Sequence, residues 1–264
     1  MSLPDQHSDI YVRAHTVSLE QHKDRPSPHT EPKWSDYALV FDSESRITAD
    51  QTLTLGFWRF GEKRNGSYFS LEEGIFHDDE LSAGELQLLR KYARETKPDT
   101  TDDGCDRLRL YSRSKFVHEV LGMAIQAKAF IVCFNAGFDL SRIAVDWENA
   151  DNCGWSLILS QWRNPKTRKL VPNKFFPRVV IKALNRKTAI IHSTRAPMSE
   201  PDRNNQKVAL WPPARFLDLR TLLWALRNRS YSLGSACREF TTTHQKIDHA
   251  PTGKVTLEEN SVRA

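Results

Sequence analysis

Two carboxylates, Asp42 and Glu44, directly follow the short apolar run Tyr37–Phe41. Side chains alternate across a β-strand, so acids two positions apart project on the same side and can bind one hard cation together. The spacing by itself is weak evidence for a metal site, because 33 of the 264 residues are acids and about four such pairs should arise by chance. Their position tells more, since acids at the end of a buried strand are costly to desolvate unless they are paired or bind a metal. A solvent-facing strand end is the alternative interpretation.

A third acid, Asp139, follows a second apolar run, Ala129–Phe134, at the predicted start of a helix. An isolated aspartate there is most simply a helix N-cap, or a first-turn acid that interacts favourably with the helix dipole. Here Asn135 and Phe138 precede it, so an amide, an aromatic ring and a carboxylate fall within one turn. This pattern favours a chemical role for Asp139.

The first half of the chain must supply the elements that position these acids. Residues 1–34 lack helical or strand periodicity, so we expect a flexible tail. Apolar runs at Tyr37–Phe41 and Thr52–Phe60 predict two strands, and a turn over Gly61–Ser67 leads into a third at Tyr68-Phe69. Three antiparallel strands should therefore open the domain. Helices are predicted over Ser82–Glu95 and Ser114–Ala127, before a strand buried on both faces at Ala129–Phe134.

The second half departs from this alternation of strands and helices. It predicts a β-hairpin insertion over about residues 155–213, with strands at Trp155–Trp162, Val179–Leu184 and Thr188–His192. A buried strand returns at Arg215–Leu219, and short helices follow at 222–226 and 231–240. The expected fold is α/β, with a mixed central sheet whose first three strands are antiparallel and whose later strands are parallel.

Composition limits the classes of function. With 39% hydrophobic and 27% charged residues the chain is globular, and no apolar run approaches the ~18 residues that span a bilayer. Without a signal core we expect a cytoplasmic protein, in which the four scattered cysteines are small core residues. Residues 1–159 carry 18 Lys and Arg against 26 acids, whereas residues 160–264 carry 20 against 7. A basic half beside an acidic half suits a polyanion next to a cation site, although a solvated basic surface is the alternative.

The sequence resembles the DEDD superfamily of 3′–5′ exonucleases. Its Asp-x-Glu motif is matched by Asp42-Ser43-Glu44, and its Asn-x-x-Phe-Asp motif by Asn135–Asp139. Three further segments look like exonuclease domains related to family B DNA polymerases: Phe175–Lys182, Arg215–Leu222 and Tyr231–Cys237. The resemblance implies a ribonuclease-H-like fold over residues 35–257, with residues 258–264 as a C-terminal tail.

The resemblance also implies roles for the matched residues. Several carboxylates would hold two Mg²⁺ or Mn²⁺ ions roughly 3.5–4 Å apart and hydrolyse phosphodiesters without a protein nucleophile. Asp42 would bridge both ions, Glu44 would bind one and orient the attacking water, and Asp139 would bind the second. Phe138 would pack beside the terminal nucleotide of single-stranded DNA or RNA, and Asn135 would hydrogen-bond near the scissile end. Asp218 is left outside the site, as a helix N-cap.

The expected fourth carboxylate has no matching motif after Tyr231. Three explanations stay open: the chain is truncated before that helix, which we expect; Asp248, Glu258 or Glu259 substitutes; or a polymerase or another chain completes the site. The predicted function is therefore a 3′–5′ exonuclease-like domain whose activity is impaired by the missing ligand. The alternative is a non-catalytic nucleic-acid-binding module that keeps the same fold.

Overall fold

Three strands joined by short connections begin the fold. The computed structural model describes residues 34–99, 107–150, 154–183, 189–200 and 208–242. Strands β1 (Tyr37–Ser45), β2 (Leu53–Arg64) and β3 (Ser67–His77) pair in antiparallel order, as predicted. The turn between β2 and β3 is only Asn65-Gly66, and both residues have positive φ, which asparagine and glycine tolerate best. The prediction that the turn begins at Gly61 is wrong, because residues 61–64 stay paired with β3.

Parallel strands extend this meander into a six-stranded sheet of order β12-β5-β1-β2-β3-β4. Strand β5 (Phe130–Cys133) lies parallel to β1 on one side and to β12 (Arg215–Asp218) on the other. At the opposite edge β4 (Arg109–Ser112), which the sequence analysis missed, lies parallel to β3. The α/β class and the mixed sheet, antiparallel first and then parallel, are confirmed.

Helices flank the sheet near their predicted positions. Their bounds are α1 (Ala83–Glu95), α2 (Arg113–Lys115), a π-helical segment (Phe116–Leu121), α3 (Gly122–Gln126), α4 (Ala136–Ile143), α5 (Leu219–Arg227) and α6 (Leu233–Glu239). Helix α1 begins where the sequence predicts, because Ser82 and Glu85 form a reciprocal capping box. Helix α4 begins directly after β5, and this connection places Asp139 in the first turn of α4.

The insertion forms two smaller sheets. One has the order β11-β10-β7-β6 and consists of β6 (Asp146–Ala150), β7 (Gly154–Ile158), β10 (Val179–Ala183) and β11 (Ala189–Ser193). The other is the hairpin of β8 (Gln161–Arg163) and β9 (Leu170–Pro172). The predicted pairing of β10 with β11 is confirmed, but the insertion starts earlier than predicted, at Asp146.

The larger hydrophobic core lies on one face of the six-stranded sheet. Leu39 and Phe41 of β1 and Ile131 and Cys133 of β5 point into it and are almost fully buried. On the other face Val40 is 45% exposed, and Phe130 and Val132 are only half-buried. Strand β5 is therefore not buried on both faces as predicted, because the described residues cover this face incompletely.

Several predictions concern residues outside the described ranges. They are the N-terminal tail up to residue 33, Cys105 and Cys153, the turn at 184–188, and the C-terminal part with Asp248, Glu258 and Glu259. The predicted domain bounds also stay predictions. None of the described helices is long and apolar enough to cross a membrane.

Candidate functional site

Asp139 is the most deeply buried acid of the predicted site. Its position in the first turn of α4 sets it against the end of β1, where Ser43 donates two hydrogen bonds to Oδ1. The donors are the Ser43 backbone N–H at 3.1 Å and the Ser43 hydroxyl at 2.8 Å. Both Ser43 and Asp139 are buried, and Asp139 is only 1% exposed. These hydrogen bonds join the two predicted motifs at one edge of the sheet.

The second oxygen of Asp139 has a different environment. Oδ2 is buried and accepts no hydrogen bond from the described residues. Burial raises the pKa of Asp139 from 3.8 to about 7, and the neighbouring Asp42 carboxylate adds to the increase. The two hydrogen bonds from Ser43 act in the opposite direction and lower this pKa. Asp42 and Asp139 are thus close enough to repel each other when both are ionised.

Glu44 lies two residues beyond Asp42 in the same strand, and both side chains are exposed on the same side of β1. The predicted pair is therefore in place, although both acids are within β1 rather than after it. Within the described ranges, no three His, Cys, Asp or Glu side chains form a group that could hold a metal ion. The structure brings Asp42 and Asp139 together and does not bring Glu44 into a cluster with them.

Asn135 occupies the N-cap position of α4, but its side chain makes no capping hydrogen bond. Its carbonyl oxygen accepts the backbone N–H groups of Phe138 at 2.8 Å and of Asp139 at 3.1 Å. The side chains of Asn135 and Phe138 line a cleft of about 610 Å³ between α4 and the second sheet. The predicted amide and aromatic ring therefore share an open space, and Asp42, Glu44 and Asp139 are not among the residues that line it.

The cleft also contains residues that the sequence analysis did not select. The guanidinium of Arg142 lies 5.1 Å from the centre of the Phe138 ring and donates hydrogen bonds to the carbonyls of Asp50 and Gln51. Trp147 and Trp155 line the far side, on β6 and β7. A tryptophan in an alternating run usually indicates a core position, so the sequence offered no signal that these two face solvent.

Asp218 has the structural position that was predicted, the N-cap of α5. Its oxygens accept hydrogen bonds from the hydroxyl of Thr221 and, at 3.3 Å, from the backbone N–H of Ala136. The second bond was not predicted, and it ties α5 to the first residue of α4. Asp218 thus helps to position the helix that carries Asp139.

Cys133 lies at the end of β5, close to these acids. It is 1% exposed, which confirms the prediction that this cysteine is a core residue. Burial raises the pKa of its thiol well above the usual value, and the charges of Asp139, Asp42 and Asp218 raise it further. The three aspartates therefore all lie within electrostatic range of Cys133.

Comparison with known proteins does not name a family. The chain matches no model of a known protein family, and no curated protein matches it significantly.

Proposed function

We propose that this chain is a metal-dependent 3′–5′ exonuclease domain with a ribonuclease-H-like fold that acts on single-stranded nucleic acid, with DNA as the expected substrate. The observation that carries the proposal is the pair of hydrogen bonds from Ser43 to Asp139. They place the acid of the Asn-x-x-Phe-Asp motif beside the acid that opens the Asp-x-Glu motif. Two motifs separated by about ninety residues of sequence thus converge at one sheet edge, where an oxygen-ligand site needs them.

The strand arrangement supports the same proposal. Three antiparallel strands followed by parallel strands on the β1 side match the arrangement that the resemblance implies. Strands β1, β5 and β12 run parallel side by side, and each carries or leads to an aspartate: Asp42 within β1, Asp139 in the helix after β5, and Asp218 as the last residue of β12. Ligand sites in sheets with parallel strands are commonly built at this edge.

The donor atoms of Asp42 and Asp139 are suited to a divalent cation. Carboxylate oxygens are the ligands that Mg²⁺ and Mn²⁺ prefer, and Oδ2 of Asp139 is a buried acceptor that no described residue satisfies. A cation there would offset both the burial of the Asp139 carboxylate and its repulsion by Asp42, which together raise the pKa of Asp139. When bound, such an ion supplies an activated water at neutral pH and stabilises charge on the leaving oxygen.

The remaining roles belong to the protein's own side chains. Ser43 fixes the orientation of the Asp139 carboxylate, and Glu44, on the same side of β1 as Asp42, would orient the water. Asn135 and Phe138 lie next to this edge and line the cleft, which suits them to hold the terminal nucleotide. An aromatic ring beside an amide can receive a nucleotide without selecting its base.

The second candidate function is a nucleic-acid-binding module without hydrolytic activity. It is favoured by one observation: within the described part of the chain two carboxylates meet, rather than the three or more of a two-metal site. Such a module would keep the cleft and the basic second half of the chain, and it would bind polynucleotides in the presence of a chelator.

The experiment is degradation of a 5′-labelled single-stranded oligonucleotide in Mn²⁺. We expect stepwise shortening from the 3′ end that a chelator stops and that Asp42→Ala or Asp139→Ala lowers by at least about a hundredfold. The matched control is Asp36→Ala, an exposed aspartate that precedes β1 at its other end. Shortening that survives the chelator or Asp42→Ala contradicts the proposal. Chelator-resistant binding with no shortening supports the second candidate.

A further inference from the structure

Two large aromatic side chains of the second sheet are turned toward solvent. Trp147 on β6 is 56% exposed and Trp155 on β7 is 47% exposed. In the register of the two strands Trp147 pairs with Leu157, and Trp155 pairs with Asn149. The two tryptophans are therefore diagonal neighbours on one face of the sheet, within the reach of aromatic side chains. Exposed tryptophans arranged this way offer two adjacent flat apolar surfaces.

These surfaces belong to the cleft that Asn135 and Phe138 also line, close to the end of β5. Asn135, the N-cap residue of α4, and Phe138, in the first turn of α4, line one wall of the 610 Å³ cleft, and the two tryptophans line the other. The position proposed for the terminal nucleotide, beside Asn135 and Phe138, therefore lies across the cleft from the exposed face of the second sheet. A strand whose 3′ end reaches Asp42 and Asp139 would run along this face.

The residues that line the cleft include one cation, Arg142, and one acid, Asp146. The guanidinium of Arg142 stands over the Phe138 ring, and two backbone carbonyls of the β1–β2 turn hold it in place. The acid of the cleft, Asp146, accepts the backbone N–H of Trp147 at 2.8 Å, so one of its oxygens is directed at the protein backbone. A fixed cation beside aromatic faces is the combination that binds unpaired nucleotides through both phosphates and bases.

We propose that Trp147 and Trp155 form a stacking platform for unpaired bases that lie upstream of the 3′-terminal nucleotide. The inference rests on the proposed function and extends it, because it names the residues that select a single strand over a duplex. Bases in a duplex are already stacked and paired, whereas unpaired bases expose both faces to the indole rings. Stacking on a π-face is tolerant of sequence, as an enzyme that trims any 3′ end requires.

Binding is tested in a chelator, so that hydrolysis plays no part. The variant is Trp147→Ala/Trp155→Ala, and the probe is a labelled oligothymidylate whose fluorescence anisotropy reports the dissociation constant. We expect the double variant to bind about tenfold or more weakly than the wild type. The matched control is Trp162→Ala, which removes a tryptophan of 45% exposure from β8, in a different sheet. Because all three side chains are exposed, each variant should keep the wild-type circular dichroism spectrum.

A second probe isolates the bases from the phosphates. An oligonucleotide of equal length with abasic sites retains every phosphate, so the wild type and the double variant should bind it with equal affinity. Equal binding of oligothymidylate by the double variant and Trp162→Ala would overturn the platform and leave the tryptophans as a contact for another protein. A wild type that binds duplex as tightly as single strand would also overturn it.

The outcome is separable from that of the proposed function. If Asp42→Ala leaves hydrolysis unchanged but the tryptophan variant loses affinity for oligothymidylate, the exonuclease mechanism is wrong and the platform stands. If hydrolysis depends on Asp42 while the tryptophan variant binds like the wild type, the exonuclease stands and the platform is wrong.

Discussion

Strands β5 and β12 are parallel neighbours, and each leads to an aspartate at the start of a helix, but the two aspartates differ in what their oxygens do. Asp218 uses both oxygens, one for Thr221 within its own helix and one for the first N–H of α4. Asp139 uses only Oδ1, which receives both donors from Ser43, and its buried Oδ2 has no hydrogen-bond donor among the described residues. The fold satisfies Asp218, whereas it does not satisfy the ionised form of Asp139, because the hydrogen bond that Asp139 can share with Asp42 needs a proton on one of the two carboxyls.

Asp218 therefore stabilises the folded state, whereas the burial of the ionised Asp139 carboxylate destabilises it. Buried polar atoms in folded proteins almost always have partners, so an exception needs a reason. At Asp139 the cost is increased by Asp42, a like charge nearby. Unfavourable arrangements of this kind are kept where a ligand uses them, and a cation at this edge would be such a ligand.

The largest expected effect is the pH dependence that Asp139 gives to stability in the absence of metal. Its pKa is about 7 in the folded state against 3.8 for the ordinary group, so the folded state binds more protons between these values. The free energy of unfolding should therefore fall as pH rises from about 4 through 7, by about 4 kcal/mol in total, and then level off. Urea unfolding of the wild type and Asp139→Asn across this range, in a chelator, measures the difference.

Asp139→Asn should remove this pH-dependent loss and be more stable than the wild type at pH 8. The amide oxygen can still accept from Ser43, and the amide nitrogen can donate toward Asp42. Asp42→Asn should reduce the loss without abolishing it, because burial is the larger cause of the raised pKa. Addition of Mn²⁺ should stabilise the wild type and not Asp139→Asn. A wild type and Asp139→Asn with the same pH profile would contradict the contrast between the two acids.

A smaller effect is expected at Asp218. Asp218→Ala leaves the N–H of Ala136 and the hydroxyl of Thr221 without their acceptor, and we expect a loss of about 2 kcal/mol in the free energy of unfolding. Asp218→Asn is the matched control, since its amide oxygen can still accept the N–H of Ala136 and should retain part of that energy. Both losses are measured by urea unfolding at pH 7.

The response to Mn²⁺ distinguishes the two acids directly. Asp218→Ala should still be stabilised by Mn²⁺, because Asp42 and Asp139 remain, whereas Asp139→Asn should not. If Asp218→Ala loses this stabilisation as completely as Asp139→Asn, then Asp218 acts at the site itself and the contrast fails.

Much of the central sheet could be predicted from hydrophobic periodicity, and the exceptions have a common cause. Strands β1, β2, β5 and β12 contain the apolar runs by which the sequence identifies them, whereas β3 (Ser67–His77) was located only at Tyr68-Phe69. Strand β4 (Arg109–Ser112) is only four residues long and has arginine and serine at its two ends, and β6 (Asp146–Ala150) carries mostly polar side chains. Each is a strand because a neighbour pairs with it, β3 in one case and β7 in the other. Local sequence does not contain that information.

The candidate site was predictable in its acids and not in their surroundings. One apolar strand leads to Asp42, and another leads to Asp139. Because the carboxyl ends of neighbouring parallel strands lie at the same edge of a sheet, the sequence suggests that these two acids meet. Ser43, between two acids, carries no signal of its own, because its role depends on a helix that lies 96 residues further along the chain. Trp147 and Trp155 were missed because exposure is decided by which face of the second sheet is covered.

The smallest expected effect is the loss of the hydroxyl hydrogen bond from Ser43 to Asp139. Ser43→Ala removes the 2.8 Å hydroxyl bond to Asp139 Oδ1 and leaves the 3.1 Å bond from the backbone N–H. We expect a loss of about 1 kcal/mol in the free energy of unfolding at pH 7 in a chelator. Ser156→Ala is the control, a serine buried to a similar extent in β7 of the other sheet.

The sign of the accompanying pKa change follows from the charge of the acceptor. The Ser43 hydroxyl stabilises the ionised form of Asp139, so its removal should raise the pKa of Asp139 further. The stability lost with rising pH should then extend to higher pH in Ser43→Ala than in the wild type, and it should keep its wild-type position in Ser156→Ala. If stability is lost at lower pH in Ser43→Ala than in the wild type, the hydroxyl does not stabilise the carboxylate. The position of Asp139 would then depend on helix α4 alone.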